Sequence, residues 1–187
     1  VLYYNQMEKY KKQEMSEKII FDRNLISVVS GAFSSENIDH IREYLLSVVN
    51  VRYIRIEYDD TNDKYNKLTS EKKSNEQHRL YEAMKTYLEE QMYHVYVPHV
   101  NDQEFYVGFI YAKALSEKEN LREKEYIKEL YQTLSQELPF KVILYIGQMV
   151  NNIKEISESY RSALIAKNFQ SYTKVMDIAF YDEIKNE

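Results

Sequence analysis

The sequence predicts an α+β domain, and three observations carry that reading. Apolar residues recur at helical spacing in some segments, such as Ile38, Ile41, Leu45 and Val48. Elsewhere the chain alternates in β-branched and aromatic residues, as in Val51 to Tyr58. Between them, Asn101-Asp102 separates two apolar runs, which signals an antiparallel hairpin. From residue 51 the order is β-α-β-β-α-β-α-β, with helices free to cover the sheet and a helical arm in front.

Residues 1–29 hold no Gly or Pro and are rich in Glu, Lys, Gln and Met, so they form a helix. Tyr3, Met7 and Tyr10 follow a 3/4 spacing, and the next stripe, Met15, Ile19, Ile26 and Val29, is out of phase with it. The polar stretch Glu8 to Lys18 is expected to project from the body. Gly31 reads as the C-cap. Ser34 or Ser35 then caps a second helix over 35–47. The strand 51–58 ends at Asp59-Asp60-Thr61-Asn62-Asp63, and the Lys-rich residues 64–74 read as a loop or a frayed turn. A helix over 75–92 buries Leu80, Met84, Tyr87 and Leu88. Tyr93 to Val100 is a strand with Pro98 at an edge or bulge, paired through the hairpin with Glu104 to Ala112. Ser116, with Glu119 three residues on, matches a capping box for a helix that buries Leu121, Tyr126, Ile127, Leu130 and Leu134. Phe140 to Ile146 is the most apolar strand. Asn151 or Asn152 caps a helix with Ile153, Ile156, Tyr160, Ala163, Leu164 and Lys167 on one side. Val175 to Phe180 is a last short strand.

Composition excludes several function classes. The 187 residues contain no Cys, so disulfides, thiol nucleophiles and Cys-ligated metals are ruled out. Three glycines leave no material for a Gly-rich phosphate loop. A net charge of -5 argues against a broad basic nucleic-acid surface. The start lacks a signal-peptide pattern, and no apolar run approaches the roughly 20 residues of a membrane span. A cytoplasmic location is expected, with no membrane partner. The start at Val1 reads as the cut edge of a longer protein.

No constellation of catalytic residues stands out. His94 and His99 flank one strand on opposite faces, and His40 and His78 have no ligand-spaced partner. Asp59, Asp60 and Asp63 read as a solvated turn without the spacing of a calcium loop. Glu89 and Glu90 are adjacent on a helix and point apart. Lys64, Lys67, Lys72, Lys73 and Arg79 are interleaved with acids and read as a solubilising stretch. The 19 tyrosines read as core and rim residues.

A family resemblance takes the reading further. The C-terminal part runs Val142-Ile-Leu-Tyr-Ile-Gly147-Gln, then Asn152-Ile-Lys-Glu-Ile-Ser157-Glu-Ser-Tyr160-Arg-Ser-Ala163, and closes on Val175-Met-Asp-Ile-Ala-Phe-Tyr181-Asp182-Glu-Ile184. This resembles the end of the degenerate GGDEF-like domain of bacterial response regulators and AraC-type transcription factors. Asn24 to Ile38, with Gly31 in its middle, is similar to that family's opening helix–Gly–helix segment. Val51 to Asp59 takes the place of its first strand. In active diguanylate cyclases a Gly-Gly-(Asp/Glu)-Glu-Phe turn binds nucleotide and helps to hold a metal. The matching turn here is Val100-Asn101-Asp102-Gln103-Glu104-Phe105, which keeps only Glu104-Phe105 and neither glycine. The Asp59/Asp60 region is similar to the place of a metal-binding aspartate.

The resemblance implies a GGDEF/nucleotide-cyclase-like domain over 31–187, with 1–30 as a linker or dimerisation helix. It implies a non-enzymatic role: a regulatory domain in a two-component system or other transcriptional regulator. Such a domain links an upstream receiver or sensor to a C-terminal helix-turn-helix module and touches DNA only through that module. A homodimer using Tyr3, Met7 and Tyr10 is expected, with no cofactor, catalytic residue or metal ligand. The alternative is a small-molecule or nucleotide sensor with Asp59, Asp60, Asn101 and Asp102 at the ligand edge. A residual diguanylate cyclase is the third reading.

Overall fold

A computed structural model describes residues 1–31, 34, 36, 39, 49–91, 99–101, 103–170 and 176–185. Of the expected helix over 35–47 only residues 36 and 39 fall in this set, and the strand residues 93–98 with Pro98, His40, His94 and Asp102 lie outside it. Within it the protein is α+β, with a six-stranded mixed sheet.

Helix α1 spans Leu2–Ser30, and Gly31 ends it in the left-handed conformation at φ 77°, its N–H bonded to the Val28 carbonyl. Leu25, Val28 and Val29 are buried, and Ile26 is half-buried. Residues 1–13 are exposed throughout. The helix is thus anchored by its last turns and extends clear of the body at its start.

Strand β1 (Val49–Tyr58) sits inside the sheet, whose order is β2-β3-β1-β4-β6. Here β2 is His99–Asn101, β3 Tyr106–Ala112, β4 Val142–Ile146 and β6 Ile178–Phe180. β1 pairs antiparallel with β3 and β4, β2 pairs antiparallel with β3, and β6 joins β4 in parallel. The first four in this order form the split β-α-β arrangement. β5 (Val150–Asn152), which sequence patterning does not reveal, pairs with the start of β1. Its three residues are too few, and two are Asn, for alternation to register.

Both faces of β1 are covered, so Val51 to Tyr58 are all buried. On the face of Tyr53, Arg55 and Glu57 lies α6 (Ile156–Gln170). The Tyr53 N–H donates to Ser159 Oγ at 2.8 Å, and the Tyr53 and Tyr160 rings meet edge-on at 5.0 Å. α1 packs against α6. Across the sheet lie α3 (Ser70–Gln91) and α5 (Glu123–Glu137), where Tyr87 meets Tyr126 and Tyr126 meets Tyr111.

Several boundaries differ from the sequence reading. Residues 64–74 are more ordered than a loop: α2 (Asp63–Asn66) is a single helical turn, residues 67–69 form a short bend, and α3 begins at Ser70. The Asn62 side chain caps α2 by accepting from Lys64 N and Tyr65 N, and Tyr65 is pinned between Tyr58 and Phe140. Ser116 caps nothing. It sits inside α4 (Lys113–Lys118), where its hydroxyl bonds Tyr111 Oη at 2.6 Å and the Lys113 carbonyl. α5 opens instead at Glu123, with the Glu125 carboxylate accepting from Arg122 N. On α6 the buried stripe is Ile156, Ser159, Ser162, Ala163, Ala166 and Gln170, entered through a 3-10 turn at Ile153–Glu155 that Asn152 caps. Tyr160 and Leu164 are half-buried beside it. Small residues at these positions let α6 lie close against the sheet. The last helix, α7 (Tyr181–Ile184), follows β6 directly. Among the described residues, no helix is long and apolar enough to cross a membrane.

Candidate functional site

Three charged residues sit in β1 among apolar ones, and burial forces each to find a partner. Arg52 faces α5 and α7. Its guanidinium reaches Glu123 at 3.1 Å, Asp182 at 3.3 Å and the Gly147 carbonyl at 3.2 Å. Burial raises the Glu123 pKa, although Arg52 pulls the other way. Arg55 and Glu57 face α6. Arg55 Nε donates to Glu57 Oε2 at 3.2 Å, and the guanidinium stacks on the Tyr106 ring at 3.7 Å. Lys167, arriving from α6, donates to Glu57 Oε1 at 2.7 Å. Glu57 therefore answers two cations, and both of its oxygens accept hydrogen bonds.

Glu57 and Lys167 form the floor of a cavity of about 180 Å3 at the end of β1. Tyr58, Tyr65, Phe105 and Tyr145 supply aromatic wall, and Asp60, Lys73, Glu104 and Asn66 complete it. Three structural causes bring them together. Tyr145 stands opposite Arg55 in the β1–β4 register, α2 folds Tyr65 back onto Tyr58, and the β2–β3 turn delivers Glu104 and Phe105. Asn101 holds that turn, its side-chain oxygen accepting from Gln103 N and Glu104 N. Phe105 sits at φ 56°, a left-handed conformation that costs a side-chain-bearing residue about 1–2 kcal/mol. The turn therefore holds a strained residue whose ring forms cavity wall.

The tyrosines here are not bases. Burial, reinforced by Glu57, Asp60 and Asp59, raises Tyr145 well above the usual phenol range. Burial raises Tyr65, and burial together with the hydrogen bond to Tyr160 raises Tyr106. All three stay neutral at neutral pH. The cavity offers fixed charges, aromatic faces and phenol donors.

The residues expected at a ligand edge separate. Asp59 is buried and committed: Oδ1 accepts from Thr61 N at 3.0 Å and Thr61 Oγ1 at 2.7 Å, with Lys141 at 3.9 Å from Oδ2. Lys141 in turn holds Asp177 at 2.8 Å, and that hydrogen bond lowers the Asp177 pKa and raises that of Lys141. Asp60 does line the cavity. Asn101 shapes the turn from behind, and Asp102 is outside the described residues. Among the described residues no three His, Asp or Glu side chains come together as a metal-binding group. His78 is exposed on α3.

Sequence reasoning missed Glu57, Lys167, Tyr145, Tyr65 and Lys73. One signal was available: Arg55 and Glu57 share a strand face with Val51 and Tyr53 in a β-branched and aromatic run, and a charge buried there unpaired would be prohibitive. Lys73, read as solubilising, is half-buried over the Tyr65 ring at 5.3 Å.

Glu57→Ala leaves Arg55 buried without its main carboxylate and should cost about 3–5 kcal/mol in urea unfolding. Glu104→Ala, on a side chain 60% exposed and 3.9 Å from Arg55, should cost less than about 1 kcal/mol. Equal effects would show that Glu57 does not neutralise Arg55.

Compared with protein-family models and with curated proteins, the chain matches none.

Proposed function

We propose that this chain is a non-catalytic regulatory domain of a bacterial transcriptional regulator, acting in the cytoplasm as a homodimer. It relays an upstream receiver or sensor signal to a C-terminal helix-turn-helix module. The GGDEF-like resemblance supplies the class, and the β-α-β-β-α-β order of the sheet is compatible with it. The observation that carries the reading is α1. Its last turns are seated in the core through Leu25, Val28 and Val29, while Tyr3, Met7 and Tyr10 stand 76%, 45% and 64% exposed on its free start. Their four-then-three spacing places them on one seam, the a/d pattern of a two-helix contact. An exposed apolar stripe of this kind is costly unless a partner covers it. The occupant proposed is the same stripe of a second copy. A rotation or shift of the paired helices then reaches the sheet through α6, on which α1 rests.

The absence of glycine from the turn between β2 and β3 supports a non-catalytic role, because backbone there cannot approach a phosphate as a glycine pair does. Incubation with GTP and Mg²⁺ should yield no dinucleotide, and its formation would revive the cyclase reading. Sedimentation of residues 1–187 beside residues 21–187 tests the arm. A dimer that becomes a monomer on truncation is expected. A monomer in both overturns dimerisation through the arm.

A further inference from the structure

The cavity at the end of β1 has a charge pattern that the regulatory reading does not use. Glu57 is already neutralised by Arg55 and Lys167. Two other charges on the wall are not answered. The Lys73 ammonium lies over the Tyr65 ring, and among the described residues no carboxylate pairs with it. The Asp60 carboxylate likewise receives no hydrogen bond, since only its backbone carbonyl is engaged, by the Asn66 amide. One free cation and one free anion thus share a small cavity with four aromatic side chains.

Size narrows the occupant. The cavity measures about 180 Å3. It is smaller than the roughly 300–1,000 Å3 pockets that hold drug-sized ligands. A simple anion would satisfy Lys73 but bring a like charge towards Asp60 and Glu104. A simple amine would satisfy Asp60 and meet the like charge of Lys73. A molecule carrying both groups satisfies both walls, and an apolar remainder packs on Phe105, Tyr65 and Tyr145.

We propose that this cavity binds a small zwitterion of the α-amino-acid class, its carboxylate on Lys73 and its ammonium on Asp60, with an apolar side chain against the aromatic wall. The strained Phe105 joins the site to the β2–β3 turn. The proposal is independent of the N-terminal arm: failure of residues 1–20 to dimerise would leave it standing.

The test is calorimetric titration of the full chain with L-leucine, L-methionine and L-phenylalanine. Two controls each lack one charge: 4-methylpentanoate, which is leucine without its ammonium, and 3-methylbutylamine, which is leucine without its carboxylate. At least one amino acid should bind with a dissociation constant below about 1 mM, and both controls should bind about tenfold or more weakly. Lys73→Ala and Asp60→Asn change exposed or half-buried surface, so both should remain folded by circular dichroism. Each should weaken binding about tenfold or more. Silence with all three amino acids overturns the proposal. So does binding matched by either control, or binding unaffected in both variants. Saturable GTP binding lost in the same two variants would assign the cavity to a nucleotide and overturn it as well.

Discussion

Gly147→Ala is expected to lower the melting temperature by about 10 °C or more. Gly147 follows β4 directly beneath α6. A Cβ built there would lie 2.1 Å from the Ser159 carbonyl oxygen and 2.5 Å from Ser159 Oγ. The first of these is helix backbone and cannot rotate away. Relief requires lifting α6 from the sheet. That motion would strain the Tyr53 N–H to Ser159 Oγ bond, the Gln148 N–H to Ser162 Oγ bond and the Lys167–Glu57 pair together. Overpacking with coupled hydrogen-bond loss places the cost above about 3 kcal/mol. Gly108→Ala should act similarly, because its Cβ would overlap the Tyr53 hydroxyl at 2.0 Å and approach the Ile54 carbonyl at 2.9 Å. Gly31→Ala separates space from conformation. Among the described residues the nearest atom there is Ser157 Cβ at 3.7 Å, so the left-handed backbone is what opposes it, at about 1 kcal/mol. Thermal unfolding followed by circular dichroism ranks the three. A Gly147→Ala melting point within a few degrees of the parent would mean that α6 does not sit this close.

The second large effect is alkaline unfolding. Tyr53, Tyr58, Tyr106, Tyr111, Tyr126 and Tyr145 are all buried. Burial raises every one above the ordinary phenol value of 10, and Tyr111 is pushed up to about 12. Raised folded pKa values fix the sign. The stability they contribute is fully present below the unfolded value near 10 and is lost as pH rises through the folded values. Above pH 10 the unfolded chain sheds these protons while the folded one keeps them. Each tyrosine then removes about 1.4 kcal/mol per pH unit, or about 8 for the six. A domain stable by about 5–15 kcal/mol should therefore unfold within roughly 1–2 pH units above that point. Tyrosinate absorbance of this set and loss of helical circular dichroism should move together. Ionisation of the whole tyrosine complement with the helical signal intact would contradict the burial of this cluster.

The alternation of α and β elements was legible because each long element repeats one period over enough residues. Gly31, Leu80 to Leu88 and Tyr126 to Leu134 took the roles that their spacing implied. Ser116 failed for a tertiary reason. The Ser-x-x-Glu spacing is real, but Tyr111, five residues earlier, claims the hydroxyl. The start of α3 failed because Ser70 to Lys73 are polar, and a helix turn with no apolar residue leaves no periodic trace. The cavity was the least legible part. Lys167 lies 110 residues from Glu57, and no spacing rule pairs them. What sequence did offer was Arg55 and Glu57 within a run of β-branched and aromatic residues. Two such residues demand partners without saying where those lie. Asp59 and Asp60 show the converse. They are chemically identical neighbours, yet one is absorbed by Thr61 and the other faces the cavity.

The central claim is that the free start of α1 is a self-association surface. Sedimentation equilibrium of the full chain beside the triple variant Tyr3→Asp, Met7→Asp, Tyr10→Asp tests it most directly. All three residues are exposed, so the substitutions leave the core untouched. A parent dimer and a monomeric variant with the same melting temperature at matched low concentration are the expected result. A variant that associates as strongly as the parent, or a parent that stays monomeric at high concentration, would contradict the claim.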